Sequence, residues 1–195
     1  MQPFTTVTGP AAALPAANID TDVIMPKQFL KGIDRSGLDH GSLHRLRFDA
    51  AGAPRPDFVL NRPEWADARF LVVRPNFGCG SSREHAVWGL LQLGIRAIIG
   101  TTFASIFNDN AANNGLLLIP MEPEQVSILS AVVTDPARNR LTIDLPAQSV
   151  SGAAGTRFGF ETRLCARTPS CAGSTPSAPP STRPTRSAPS RLGTM

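Results

Sequence analysis

The chain has 195 residues, 42% apolar and 17% charged, with a mean hydropathy of -0.05, a balance that supports one domain with a core and excludes a wholly disordered or fibrous chain. No run approaches the roughly 18 apolar residues of a membrane span, and residues 1–15 lack a basic start and a hydrophobic stretch, so the sequence predicts a cytoplasmic protein with no membrane role. The net charge of +4 belongs to residues 164–195, which hold Arg167, Arg183, Arg186 and Arg191 and no acid; a body with 15 bases, 15 acids and no Tyr offers no nucleic-acid surface.

In chain order, residues 4–7 are predicted as a short strand, followed by a Pro/Ala-rich stretch and a polar turn, residues 18–22, carrying Asp20 and Asp22. Residues 35–57, rich in Gly, Asp, Arg and His without a period of 2 or 3.6, are predicted to be a long mobile loop. A regular alternation comes next: strand 70–73, helix 82–93, strand 96–99, helix 103–113 with Asn114-Gly115 as its C-cap, strand 116–119 and helix 122–133. That order is the α/β pattern of parallel strands joined by helical crossovers. Residues 141–145 and 157–161 are expected as antiparallel additions. Residues 1–163 then form one domain, and 164–195, with six Pro, six Ser and five Thr, a tail too poor in apolar residues to order itself.

The densest chemistry lies in Asn76-Phe77-Gly78-Cys79-Gly80-Ser81-Ser82-Arg83-Glu84-His85, where a strand turns into a helix. Open α/β sheets bind ligands there, beyond the carboxyl ends of their strands. Gly78 and Gly80 allow positive φ and close approach to a ligand, and Ser81 with Glu84 matches an S-x-x-E capping box. A helix end at this point would favour an anion, Arg83 would add a bidentate carboxylate contact, and the same field would ease ionisation of Ser81. The spacing equally fits an ordinary capping segment. Neither phosphate-binding fingerprint fits, because the lysine of the P-loop and the third glycine of the dinucleotide motif are both missing. His85 and Cys79 read as structural residues, and Cys79, Cys165 and Cys171 make no C-x-x-C pair or zinc spacing.

The run GCGSSREHA, with NIDTDVIMPKQFLK upstream and FNDNAANNGLLLI downstream, resembles the small subunits of 3-isopropylmalate dehydratase and, more distantly, the swivel domain of aconitases. The resemblance spans residues 4–161. It implies an α/β swivel domain of β/β/α type, with a mostly parallel sheet and flanking helices. It also implies a large-subunit partner bearing a [4Fe–4S] cluster, and interconversion of 2-isopropylmalate and 3-isopropylmalate by loss and return of water in leucine biosynthesis. One cysteine in the body cannot furnish a four-thiolate cluster, so none is expected on this chain alone.

Position by position, Ser81 resembles the serine that acts as base at the substrate carbon. Ser82 and Arg83, with Gly80 allowing close approach, resemble the residues that hold the carboxylate substrate. Asp20 and Asp22 resemble the D-T-D turn beside the site, which either orients the pocket or touches substrate, or else they form a plain solvated Asx turn. Lys31 falls in the loop expected to face the branched side chain, or else is simply solvated. Asn108, Asn110 and Asn113 are expected to support the neighbouring strand and loop more than to touch substrate. The family continues past the position of Glu161 with a helical, Leu-rich segment. Here the Pro/Ser/Thr/Arg-rich tail begins instead, a composition expected from a shifted reading frame in a GC-rich gene. The rival reading is a noncatalytic anion-binding swivel module, or an inactive copy competing for the large subunit.

Overall fold

The structure is a computed structural model that describes residues 4–30, 36–81 and 83–162. Lys31, Ser82 and the expected tail 164–195 lie outside the described residues. Seven strands, β1 (Thr6–Leu14), β2 (Phe70–Val73), β3 (Ala97–Gly100), β4 (Leu117–Pro120), β5 (Arg140–Asp144), β6 (Ser149–Gly152) and β7 (Arg157–Gly159), form one sheet in the order β4-β3-β2-β1-β5-β6-β7. The pairs β1–β2, β2–β3 and β3–β4 are parallel, while β1–β5, β5–β6 and β6–β7 are antiparallel.

The parallel half follows from short, continuous apolar runs. Every residue of β2 and β3 is buried, as strands covered on both faces require. Side-chain alternation sorts them into two layers. Leu71, Val73 and Ile98 join Leu90 of helix α4 (Glu84–Gln92) and Phe107 of helix α5 (Ser105–Asn114) on one face. Phe70, Val72, Ala97 and Ile99 pack on the other face with Val126, Leu129 and Val133 of helix α6 (Pro123–Thr134). The expected C-cap is present, with Gly115 at φ 76° closing α5.

Two expectations are corrected. Strand β1 runs to Leu14 and is central, where the sequence suggests a four-residue strand and a Pro/Ala-rich connector. Alanine and proline are poor strand formers, yet Ala11 and Ala12 are wholly buried. Pro10 is tolerated because it marks a change of partner: Thr6 to Pro10 pair with β5, and Ala11 to Leu14 pair with β2. The proline's missing N–H falls where one ladder hands over to the other.

Secondly, the described part of residues 35–57 is not a long loop. It holds two helical turns, α2 (Leu38–Gly41) and α3 (His44–Arg47), which with the earlier α1 (Thr21–Ile24) pack over the α4 face through the buried Leu38, Leu43 and Ile24. Arg47 Nη1 donates to the carbonyls of Asp39 (2.7 Å) and Ser42 (3.1 Å), tying the two turns together. Burial draws this guanidinium's pKa below its ordinary value. Four-residue elements are too short to display a period, which is why the pattern hides them. Strand β6 escapes for the same reason, its Ser-Val-Ser-Gly sequence carrying one apolar residue.

Candidate functional site

Three connections leave the carboxyl ends of β1, β2 and β3 and are laced together by backbone hydrogen bonds. The amide of Asn18 donates to the Pro75 carbonyl (3.0 Å), that of Gly78 to Ile19 (2.8 Å), and that of Thr21 to Cys79 (2.8 Å). On the other side, the amides of Asn76 and Phe77 both donate to Thr102 (3.1 and 3.3 Å). Isolated parallel bridges, Asp20 with Cys79 and Phe77 with Phe103, extend the sheet pattern past the strand ends. Asn18 and Asn76 both take left-handed conformations, φ 56° and 62°, which asparagine tolerates better than most residues, and Asn76 Nδ2 donates to Asn18 Oδ1 at 2.9 Å. The GCGS run is therefore braced from two sides before any ligand arrives.

Gly78 and Gly80 sit at φ +77° and +92°. A Cβ on Gly78 would meet Phe107 Cγ at 2.3 Å, so this glycine is needed for space as well as conformation, whereas a Cβ on Gly80 would have ordinary clearance, 3.5 Å from Thr21 Oγ1. Ser81 follows on the surface, exposed. Its carbonyl accepts a hydrogen bond from Thr21 Oγ1 at 2.9 Å.

The capping box expected between Ser81 and Glu84 does not form. Helix α4 starts at Glu84 with Arg83 as N-cap and no side-chain cap bond. Glu84 Oε1 instead accepts from Asn114 Nδ2 at 2.7 Å, and Asn114 Oδ1 accepts from Trp88 Nε1 at 2.8 Å, so one α5 amide joins two positions of α4. Ser81 thus precedes the cap by two residues, outside the first turn in which a helix dipole acts strongly. Helix-end activation of Ser81 does not match this geometry.

Arg83 is held by the D-T-D turn. Its Nη1 donates to Asp22 Oδ1 at 2.5 Å and to the Met25 carbonyl at 3.4 Å, with the Arg83 side chain 11% exposed and that of Asp22 42% exposed. No bond from Arg83 Nε or Nη2 is found among the described residues. Its hydrogen bond, reinforced by charge, holds the Asp22 carboxyl below its ordinary pKa. Asp20 serves the same turn: it caps α1, Oδ1 accepting from the Val23 amide at 2.7 Å. The two acids therefore have different first partners, a backbone amide for Asp20 and a guanidinium for Asp22.

The structure thus brings Asp20, Asp22, Gly80, Ser81 and Arg83 into one unit from segments some 60 residues apart. His85 lies against Trp88, ring centroids 4.7 Å apart, and half-buried Cys79 places Sγ 3.6 Å from the Asn18 carbonyl. Among the described residues no three His, Cys, Asp or Glu side chains converge as a metal site, so they offer no ligand set for an iron–sulfur cluster. Thr21 is the residue that sequence reasoning passed over, and Asn18, Asn76 and Asn114, which lie in segments it marked, have partners that it did not foresee. Thr21 stands between two acids that drew attention by charge, and only the fold reveals the partner of its hydroxyl.

Comparison with known proteins gives a consistent result. Residues 1–124 match the Aconitase C-terminal domain family. The chain is 57% identical over 150 residues to 3-isopropylmalate dehydratase small subunit 1 of Mannheimia succiniciproducens, covering 77% of this chain and 74% of that one. It is 51% identical over 161 residues to a small subunit of the same enzyme from Cereibacter sphaeroides, covering 83% and 80%. The crystal structure of 3-isopropylmalate dehydratase from Methanocaldococcus jannaschii superimposes with a TM-score of 0.60 at 26% identity, over 80% of this chain and 82% of that one.

Proposed function

This chain belongs to the small subunits of 3-isopropylmalate dehydratase, in the Aconitase C-terminal domain family, and on that membership we propose how its residues share the work of a hydro-lyase in leucine biosynthesis. It acts in the cytoplasm with a large subunit, interconverting 2-isopropylmalate and 3-isopropylmalate by dehydration and rehydration. No helix among the described residues is long and apolar enough to cross a membrane. The described residues hold no ligand set for the [4Fe–4S] cluster, and the large subunit is the proposed carrier. What this chain contributes is proton transfer and carboxylate binding.

Eliminating water requires a base at a carbon next to a carboxylate. We assign that role to Ser81: its Oγ, ionised to the alkoxide, takes the proton from the substrate carbon as the C–O bond to the departing hydroxyl on the neighbouring carbon breaks, and the serine hydroxyl so formed returns the proton during rehydration. Arg83 binds a substrate carboxylate through donors other than Nη1, and Asp22 holds the guanidinium in place for it. Asp20 keeps the turn in shape through its cap, and Gly80 lets the main chain approach the ligand closely. Ser82 and Lys31 are proposed as further substrate contacts on the family resemblance of their motifs. The observation that carries this reading is the braced loop itself, an exposed serine followed two residues later by an arginine locked to a carboxylate from another connection.

The test is anaerobic reconstitution with a cluster-loaded large subunit, following unsaturated-acid formation from 3-isopropylmalate. Ser81→Ala is expected to form the complex and to lose at least about a hundredfold in kcat, as removal of a positioned acid–base group does. A fully active Ser81→Ala complex would exclude Ser81 as the base. A wild-type complex that assembles without turnover would favour the noncatalytic reading.

A further inference from the structure

We infer that Thr21 is the positioning residue for Ser81, an inference that rests on Ser81 being the base. Thr21 is 2% exposed although it stands between two acids, Asp20 and Asp22. Such burial is costly for a hydroxyl unless it is bonded, and this one is spent on a single acceptor, the main-chain carbonyl of Ser81 at 2.9 Å. The same residue's amide donates to the Cys79 carbonyl at 2.8 Å. Thr21 therefore grips the catalytic loop on both sides of Gly80, the residue at φ +92°.

That placement matters because Gly80 is where the loop is least restrained by its own chemistry. Glycine accepts a wide range of φ and ψ, and the residue after it inherits that freedom unless something outside the loop fixes it. Helix α4 does not, since it begins only at Glu84. Thr21 supplies the restraint with one hydrogen bond before the glycine and one after it, both from a residue at the start of α1, whose cap is Asp20. The next residue, Asp22, holds Arg83. A single turn of chain thus sets the base through Thr21 and the carboxylate-binding cation through Asp22, fixing the distance between them.

The test uses the reconstituted complex with its large subunit. Thr21→Val keeps the shape and removes the hydroxyl, and Thr21→Ser keeps the hydroxyl. Thr21→Val is expected to lower kcat by about ten- to a hundredfold while KM stays within about twofold, because a small displacement of a reacting group penalises the chemical step more than binding. Thr21→Ser should restore most of the rate. In a Ser81→Ala background, Thr21→Val should cause no further loss, since the group it positions is already gone.

Wild-type kcat in Thr21→Val, with Ser81→Ala inactive, would overturn the inference and leave Ser81 as the base. Loss of complex assembly in both Thr21 variants would also overturn it, by showing a structural role alone. Wild-type kcat in Ser81→Ala would overturn the base assignment and this inference together.

Discussion

The two glycines of the GCGS run separate a conformational cost from a steric one. At Gly80, φ +92°, an alanine pays about 1–2 kcal/mol for a left-handed backbone, offset by about 0.4–1 kcal/mol from a less flexible unfolded chain, so Gly80→Ala should destabilise by about 1 kcal/mol. Gly78, φ +77°, carries the same backbone term and a clash besides. Its new Cβ would lie 2.3 Å from Phe107 Cγ and 2.7 Å from Phe107 Cβ and Cδ1. Phe107 is 2% exposed and meets Phe77 edge-on at 5.5 Å, so the ring has no open side to retreat into. Overpacking of that kind adds about 1–3 kcal/mol, giving about 2–4 kcal/mol for Gly78→Ala, a large share of the roughly 5–15 kcal/mol that holds a domain together. Equilibrium urea unfolding of both variants measures the difference, provided the m-values agree. Phe107→Ala removes the Cγ and Cδ1 contacts, so in a double-mutant cycle it should cost less in the Gly78→Ala background than in the wild type, the difference reading the steric part alone. Equal midpoints for Gly78→Ala and Gly80→Ala would refute the reasoning, since they would show that Phe107 moves aside freely.

Asn114→Ala removes the bridge from α5 to Glu84 and Trp88 and should cost about 1–3 kcal/mol in urea unfolding, with a shift in tryptophan emission; an unchanged midpoint would show that the bridge contributes nothing. Asp22 has a folded pKa below its ordinary 3.8, so its pair with Arg83 stabilises the fold above that pH and is lost as the pH falls through the folded value. The stabilities of the wild type and Asp22→Asn should therefore differ near neutrality and converge in acid, and a gap that stays constant down to strongly acid pH would contradict the assignment.

The alternation of apolar runs and helical segments over residues 70–133 was legible in the sequence because each element is long or apolar enough to show its own pattern. Ser81, Arg83, Asp20 and Asp22 were likewise legible, since Gly-flanked hydroxyls, cations and paired acids stand out by residue type and because their motifs resemble a known family.

Tertiary structure decided the rest. It made β1 a central strand through the company of β2 and β5, against the local preference of Ala and Pro. It took Glu84 away from Ser81 and gave it to Asn114, because a side chain 30 residues along the chain competes for the same carboxylate once α4 and α5 pack. It tied Thr21 to Ser81 and Asp22 to Arg83 across about 60 residues. Local propensity and residue type are written in short windows of sequence, whereas the partner of a hydroxyl or a carboxylate depends on which strand ends the sheet brings together.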